Sequence, residues 1–149
     1  MREFASLDEL AAAVGEEVGV SDWILIDQRR IDLFAEASGD RQWLHVDAVA
    51  SAAGPYGATI AHGFLTLGLI PQLLRQAVTL RGTSINYGVN RVRFPAPVPV
   101  GSRLRGRFKL KSCAALADGG FQLAWEVTLE RQGSDKPVCV AETLNRRYR

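Results

Sequence analysis

Cysteine, histidine and long apolar runs are all scarce in this chain. Two cysteines, Cys113 and Cys139, are too few for a disulfide framework and form no C-x-x-C pair. They are expected reduced, in or near strands, acting as small apolar residues. With only two histidines besides, no zinc-ligand spacing emerges, and no metal is expected. No apolar run approaches the roughly 18 to 20 residues that span a bilayer. The charged opening "MREFASLDEL" lacks the apolar core of a secretory signal. A cytoplasmic protein without a membrane partner is therefore expected. Low-complexity tracts, internal repeats and linker-like stretches are missing too, so the 149 residues are read as one domain, 1–149.

Charge is present but unevenly divided. Residues 1–80 carry 5 Lys/Arg against 11 Asp/Glu, while residues 81–149 carry 13 against 5, within a net charge of +2. The basic excess follows strand alternation. In "RLRGRFKLK", Arg103, Arg105, Arg107, Lys109 and Lys111 hold every odd position, and Leu104, Gly106, Phe108 and Leu110 the even ones. This is one wet face of a half-buried strand, and no aromatics interleave with it to stack bases, so no nucleic-acid partner is expected. The terminal "RRYR" is read as the same kind of solvated face. Glu126 and Glu130, on the polar face of "FQLAWEVTLER", suit the basic row as cross-strand partners.

Helical spacing governs the first half. Ser6 with Glu9 three residues on is a capping-box signature, and Leu10, Ala13 and Val14 continue it to about Gly15. "DWILIDQ" reads as a strand. Ile31, Phe34, Ala35 and Ser38 repeat at 3.6 residues up to Gly39, where that helix ends. The run from His62 to about Leu80 is the most apolar of the chain. It predicts a helix buried on most sides, kinked at Pro71. "SINYGVNRVRF", the basic strand, "FQLAWEVTLER" and "KPVCVAETLNRRYR" predict four further strands, joined by turns at Asp118-Gly119-Gly120 and Gly133-Ser134-Asp135. Pro95, Pro97 and Pro99 form a rigid extended link. An antiparallel sheet with one apolar helix to cover is a hot-dog arrangement, an α+β fold. Its edges and its half-covered helix favour a homodimer.

Two stretches carry chemistry. In "SGDRQWLHVD", Asp40 and His45 lie five residues apart across a turn. A carboxylate and an imidazole flanking a water suit general acid–base work. Spacing alone favours an Asp cap beside a satisfied surface histidine. In "AHGF", Gly63 begins the apolar helix, where free N–H groups and the helix dipole can hold an oxyanion. It can equally be a glycine for tight packing, with His62 a capping or packing residue.

Together, "FAEASGDRQWLHVD", the "AHGFLTLGL" after it and "NRVRFPAPVPVGSRLR" resemble the MaoC-like dehydratases, the (R)-specific enoyl-CoA hydratases with a hot-dog fold. The resemblance runs from about residue 30 to 112. It implies reversible syn addition of water to a trans-2-enoyl-CoA, giving the (R)-3-hydroxyacyl-CoA. Asp40 and His45 match the catalytic pair and Gly63 the backbone oxyanion donor, with Gln42 and His62 beside the substrate. Coenzyme A is then part of the substrate and no separate cofactor is implied; the partners are an acyl-CoA thioester and a second copy of the chain. Gln42-Trp43 stands where the motif usually has Asn-Pro, a variant closer to the NodN-like branch. An acyl-CoA thioesterase on the same fold would usually place a carboxylate on the central helix, and residues 64 to 80 contain none. A non-catalytic acyl-CoA-binding regulator is the third possibility.

Overall fold

In the computed structural model, which describes residues 1–148, the chain opens with strand β1 (Arg2–Phe4) and helix α1 (Leu7–Ala12). The capping box forms. Ser6 Oγ accepts from the Glu9 N–H at 3.1 Å, and the Glu9 carboxylate accepts from the Ala5 N–H at 2.7 Å. Two short strands, β2 (Glu17–Val20) and β3 (Ile24–Ile26), precede helix α2 (Gln28–Ser38). Asp27 caps the start of α2, Ile31 and Ala35 form its buried stripe, and Gly39 ends it at φ +79°, a left-handed turn that glycine adopts without strain. Two short helices follow, α3 (Trp43–Val46) and α4 (Ala48–Ala52).

The apolar run does not make one helix to Leu80. It forms α5 (Gly63–Gly68) and α6 (Ile70–Ala77), parted at Leu69, and Val78–Leu80 leaves as strand β4, parallel to β1. Pro71 explains the break. It cannot donate to the carbonyl four residues back, and it sits in the first turn of α6, where a missing donor costs nothing. The β-branched Val78 and Thr79 then favour extended chain. Nor is the run buried all round, because Phe64 is 71% exposed.

Strands β5 (Thr83–Arg93), β6 (Ser102–Ala115), β7 (Phe121–Arg131) and β8 (Cys139–Tyr148) build an antiparallel sheet in the order β2-β6-β7-β8-β5, with β3 also on β6. Alternation is as read. Leu104, Phe108 and Leu110 of β6 face in with Leu123, Trp125, Val127 and Leu129 of β7. They meet Leu65, Leu69, Ile70, Leu73 and Ala77 of the helical segment in a single core. The sheet covering this helix is the hot-dog fold.

The outward basic row is largely neutralised in place. Arg105 lies opposite Glu130 and bonds it at 2.6 Å, Arg107 grips Glu17 through two N–H groups at 2.6 and 2.8 Å, and Lys111 pairs with Glu142. Exposed pairs of this kind contribute at most about 1 kcal/mol each. The terminal arginines depart from the solvated reading. Arg146 stacks over the Tyr87 ring at 3.7 Å, and Arg147 is half-buried, donating to the carbonyls of Leu80 and Arg81. Arg149, the last of that run, lies outside the described residues. Among the described residues no helix is long and apolar enough to cross a membrane.

Candidate functional site

Three chain segments converge on His45. Helix α2 delivers the turn after Gly39; α3 carries His45 itself; and the extended segment 59–61 runs behind it. That segment is held by the proline link. Ala61 N–H donates to the Val98 carbonyl at 2.8 Å and Val100 N–H to the Thr59 carbonyl at 2.9 Å. Pro97 and Pro99 alternate with the bonded valines, so each missing donor falls on the unbonded side. The Ile60 carbonyl, fixed this way, accepts from His45 Nδ1 at 2.7 Å. A carbonyl only accepts, so Nδ1 carries the proton and the Nε2 lone pair is left free.

His45 is 7% exposed. Burial lowers its pKa from the usual imidazole value, opposed by the Ile60 hydrogen bond; His62 adds to the lowering, and Asp40 pulls upward. Burial prevails, and the side chain stays neutral at neutral pH, ready to accept a proton.

Asp40 is exposed at the end of the turn. Its Oδ1 accepts from the Gln42 N–H at 3.4 Å, and its own N–H reaches Ser38 Oγ at 3.3 Å. The Asp40 carboxylate, His45 and His62 each offer an atom within 4.8 Å of the others. One water hydrogen-bonded to both members bridges such a span between Asp40 and His45. The same trio could be considered for a metal. However, His45 Nδ1 is committed to a carbonyl, and the two imidazoles stack with centroids 3.7 Å apart and planes 24° from parallel. In-plane lone pairs from such rings do not converge as tetrahedral ligands do. The arrangement suits proton transfer.

His62 packs against this pair. It is 3% exposed, makes no side-chain cap to α5, and its Nε2 N–H donates to the Asp40 backbone carbonyl at 2.9 Å. One buried ring thus touches both Asp40 and His45. Gln42 contributes through its backbone: its N–H meets Asp40 and its carbonyl accepts from the His45 N–H at 2.9 Å. Its side chain is exposed, with no hydrogen bond among the described residues. The proline missing at position 43 is replaced by packing. The Trp43 indole lies so close to Gly54 that a Cβ there would stand 3.0 Å from it, and Ser51 Oγ donates to the Trp43 carbonyl at 3.2 Å.

Gly63 opens α5, where the first-turn N–H groups have no preceding carbonyl in helical register. A Cβ at Gly63 would come within 2.9 Å of the Phe94 ring, so close packing also demands glycine there. One contributor went unread in the sequence. Gln28, in the first turn of α2, donates through Nε2 to the His45 carbonyl at 2.9 Å and to Asp32 Oδ1 at 2.8 Å. Its Oε1 accepts from the buried Thr59 hydroxyl at 2.5 Å. This one amide ties α2, α3 and the 59–61 segment together; its only sequence signal is a glutamine following a capping aspartate.

The MaoC like domain family matches residues 9–129. The chain is 54% identical to 3-hydroxyacyl-thioester dehydratase Z of Mycobacterium tuberculosis (strain ATCC 25618 / H37Rv), over 98% of both chains. It is 43% identical to nodulation protein N of Rhizobium meliloti (strain 1021), over 93% of this chain and 89% of that one. Among solved structures, the R-hydratase PhaJ1 of Pseudomonas aeruginosa superposes with a TM-score of 0.69 at 29% identity, covering 89% of this chain and 79% of that one.

Proposed function

The chain belongs to the MaoC-like dehydratase family, and on that footing we propose that it is a hydro-lyase acting on acyl thioesters. The reaction is the reversible addition of water to a trans-2-enoyl-CoA, giving the (R)-3-hydroxyacyl-CoA. The observation that carries the reading is the buried, tautomer-fixed His45, with a ring nitrogen within 4.8 Å of an Asp40 carboxylate oxygen. In hydration, His45 Nε2 takes a proton from the bound water while Asp40 orients it. The water oxygen bonds to C3, and the C2–C3 π electrons move toward the thioester carbonyl. Gly63 N–H stabilises the charge that builds there. The proton returned to C2 completes the product, and dehydration is the reverse. No resident cofactor is needed beyond the coenzyme A of the substrate.

The test is loss of enoyl absorbance when the protein is mixed with crotonyl-CoA and longer trans-2-enoyl-CoAs. Wild type is expected to turn over at least one of them. Asp40→Asn and His45→Gln each reduce the rate by at least about 10²-fold, the usual scale of acid–base groups. Absence of hydration at every chain length, or full activity in both variants, overturns the reading. Release of free thiol instead would favour a thioesterase, against which stands the absence of Asp or Glu from 63–77.

A homodimer is part of the proposal. Edge strand β5 exposes Ile85, Tyr87 and Val89, each about half accessible, and Phe64 lies exposed on α5. An apolar edge of this kind is what a second copy covers. Sedimentation is expected to give twice the chain mass. Both cysteines are free, which fits the cytoplasmic location we assign.

A further inference from the structure

A sheet that covers a helix is expected to present apolar side chains at every second position of its inner face. Strands β6 and β7 obey this. Strand β8 begins the same way with Cys139 and Ala141, then continues Thr143, Asn145, Arg147 at the same period. Thr143 is paired with Trp125 and Asn145 with Leu123, so these polar residues share the inner face of β7's core side chains. Across the other neighbour, Asn86 of β5 stands opposite Asn145.

These polar residues line one wall of a cavity of about 890 Å³, and Leu67 and Leu74 of the helical segment line the other. Phe64, the residue after Gly63, lines it together with Tyr87 and Val89, so the cavity adjoins both the start of α5 and the face assigned above to a second copy. The volume lies toward the top of the roughly 300 to 1,000 Å³ of small-molecule sites. A short acyl group would leave most of it unfilled.

The polar wall offers donors. Asn145 is 7% exposed, and its Oδ1 accepts from Trp125 Nε1 at 3.2 Å. That bond fixes the amide orientation and leaves the NH₂ group without an acceptor among the described residues. Arg147, two residues on, spends donors on the Leu80 and Arg81 carbonyls but has no carboxylate partner among the described residues. Burial lowers its pKa from the usual guanidinium value. A plain hydrocarbon chain would desolvate both groups and bond neither, an unfavourable exchange. An oxygen on the chain would satisfy them.

We propose that this cavity takes an acyl group carrying a hydrogen-bond-accepting oxygen (hydroxyl, keto or carboxylate) remote from the thioester, read by the Asn145 amide with Arg147 beside it. The inference rests on the dehydratase reading for what happens at the thioester end, and it concerns only which acyl groups are held.

Saturated acyl-CoAs undergo no hydration, so their binding reads the cavity alone. Calorimetry is to compare octanoyl-, dodecanoyl- and hexadecanoyl-CoA with their ω-hydroxy and ω-carboxy counterparts. An oxygenated ligand is expected to bind at least about tenfold tighter than its plain parent at one or more lengths, the scale of one buried hydrogen bond to a donor otherwise left unpaired. Asn145→Leu removes the donor and abolishes the preference. Asn145→Asp keeps an acceptor for Trp125 but loses the donors; it abolishes the carboxylate preference and turns it into a penalty, whereas a hydroxyl can still donate to the new carboxylate. Plain chains binding as tightly as oxygenated ones at all lengths overturns the inference, as does a preference that survives Asn145→Leu, a carboxylate preference that survives Asn145→Asp, or no binding by any ligand. A preference for oxygenated chains without hydration of any enoyl-CoA would sink the dehydratase reading alone. Hydration without preference would sink this inference alone.

Discussion

His62 stacks on His45 with ring centroids 3.7 Å apart while its Nε2 N–H donates to the Asp40 carbonyl at 2.9 Å. The spacing of Asp40 and His45 therefore depends on a third ring that is itself buried. Two substitutions separate its contributions. His62→Phe preserves an aromatic stack but loses the bond to Asp40, and it is expected to lower kcat about fivefold, as one hydrogen bond of roughly 1 kcal/mol predicts. It also removes the charge influence that lowers the His45 pKa, so the acid limb of the kcat/KM profile moves to higher pH. A loss of stability with an unmoved pH profile would reduce His62 to packing alone.

Gln28 positions the other side of His45. Gln28→Ala frees the His45 carbonyl and the Thr59 hydroxyl together; kcat is expected to fall about tenfold with KM little changed. Gln28→Glu keeps an acceptor for Thr59 but loses the donor to His45 and sets a carboxylate beside Asp32. It should be no better than alanine. Near-wild-type kcat in both variants would show that the 59–61 segment holds His45 unaided.

The pH dependence has a definite sign. The folded protein holds the His45 pKa below the usual value of 6.5, which the unfolded chain retains. On acidification the unfolded chain takes up this proton first. The stability contributed by neutral His45 is therefore complete above that ordinary value and lost as pH falls toward the folded one. Urea titrations between about pH 7 and pH 5 should show wild type losing more stability than His45→Gln. In kcat/KM, the acid limb should fall below the ordinary imidazole value.

Gly63 is enclosed by Phe94. In Gly63→Ala the new methyl would stand 2.9 Å from the Phe94 ring, so the ring, the helix start, or both must shift. Activity is expected to drop at least about tenfold, since an oxyanion donor displaced by part of an ångström loses much of its effect. Adding Phe94→Leu should recover the melting temperature in part. If the double variant is no more stable than Gly63→Ala, the contact is not the source of the loss.

Much of this was readable in residue order. Capping chemistry marked α1 through Ser6 and Glu9, and Gly39 marked the end of α2, because caps are local and involve neighbours three or four residues apart. Period-two alternation marked β6 and β7 and set Glu126 and Glu130 opposite the basic row, where Glu130 pairs with Arg105. The short strands β1, β2 and β4 were not readable. Strands of three or four residues show no period, and β1 exists only because β4 lies alongside it. The single long helix expected after His62 failed at its ends for the same reason: Pro71 marked a kink, but only pairing with β1 turns 78–80 into a strand.

At the site, the division is sharper. Asp40, His45 and Gly63 could be picked out from type, spacing and family resemblance, since their chemistry is written in the side chains themselves or in glycine's lack of one. What tertiary structure decided is everything that acts through space: the Ile60 carbonyl that sets the His45 tautomer, the Gln28 amide that ties three segments, and the burial that keeps the imidazole neutral. It also set His62 against both Asp40 and His45. Hydrogen bonds between groups 15, 17 and 22 residues apart leave no trace in local pattern. They follow only once the sheet and helix have brought those backbones together.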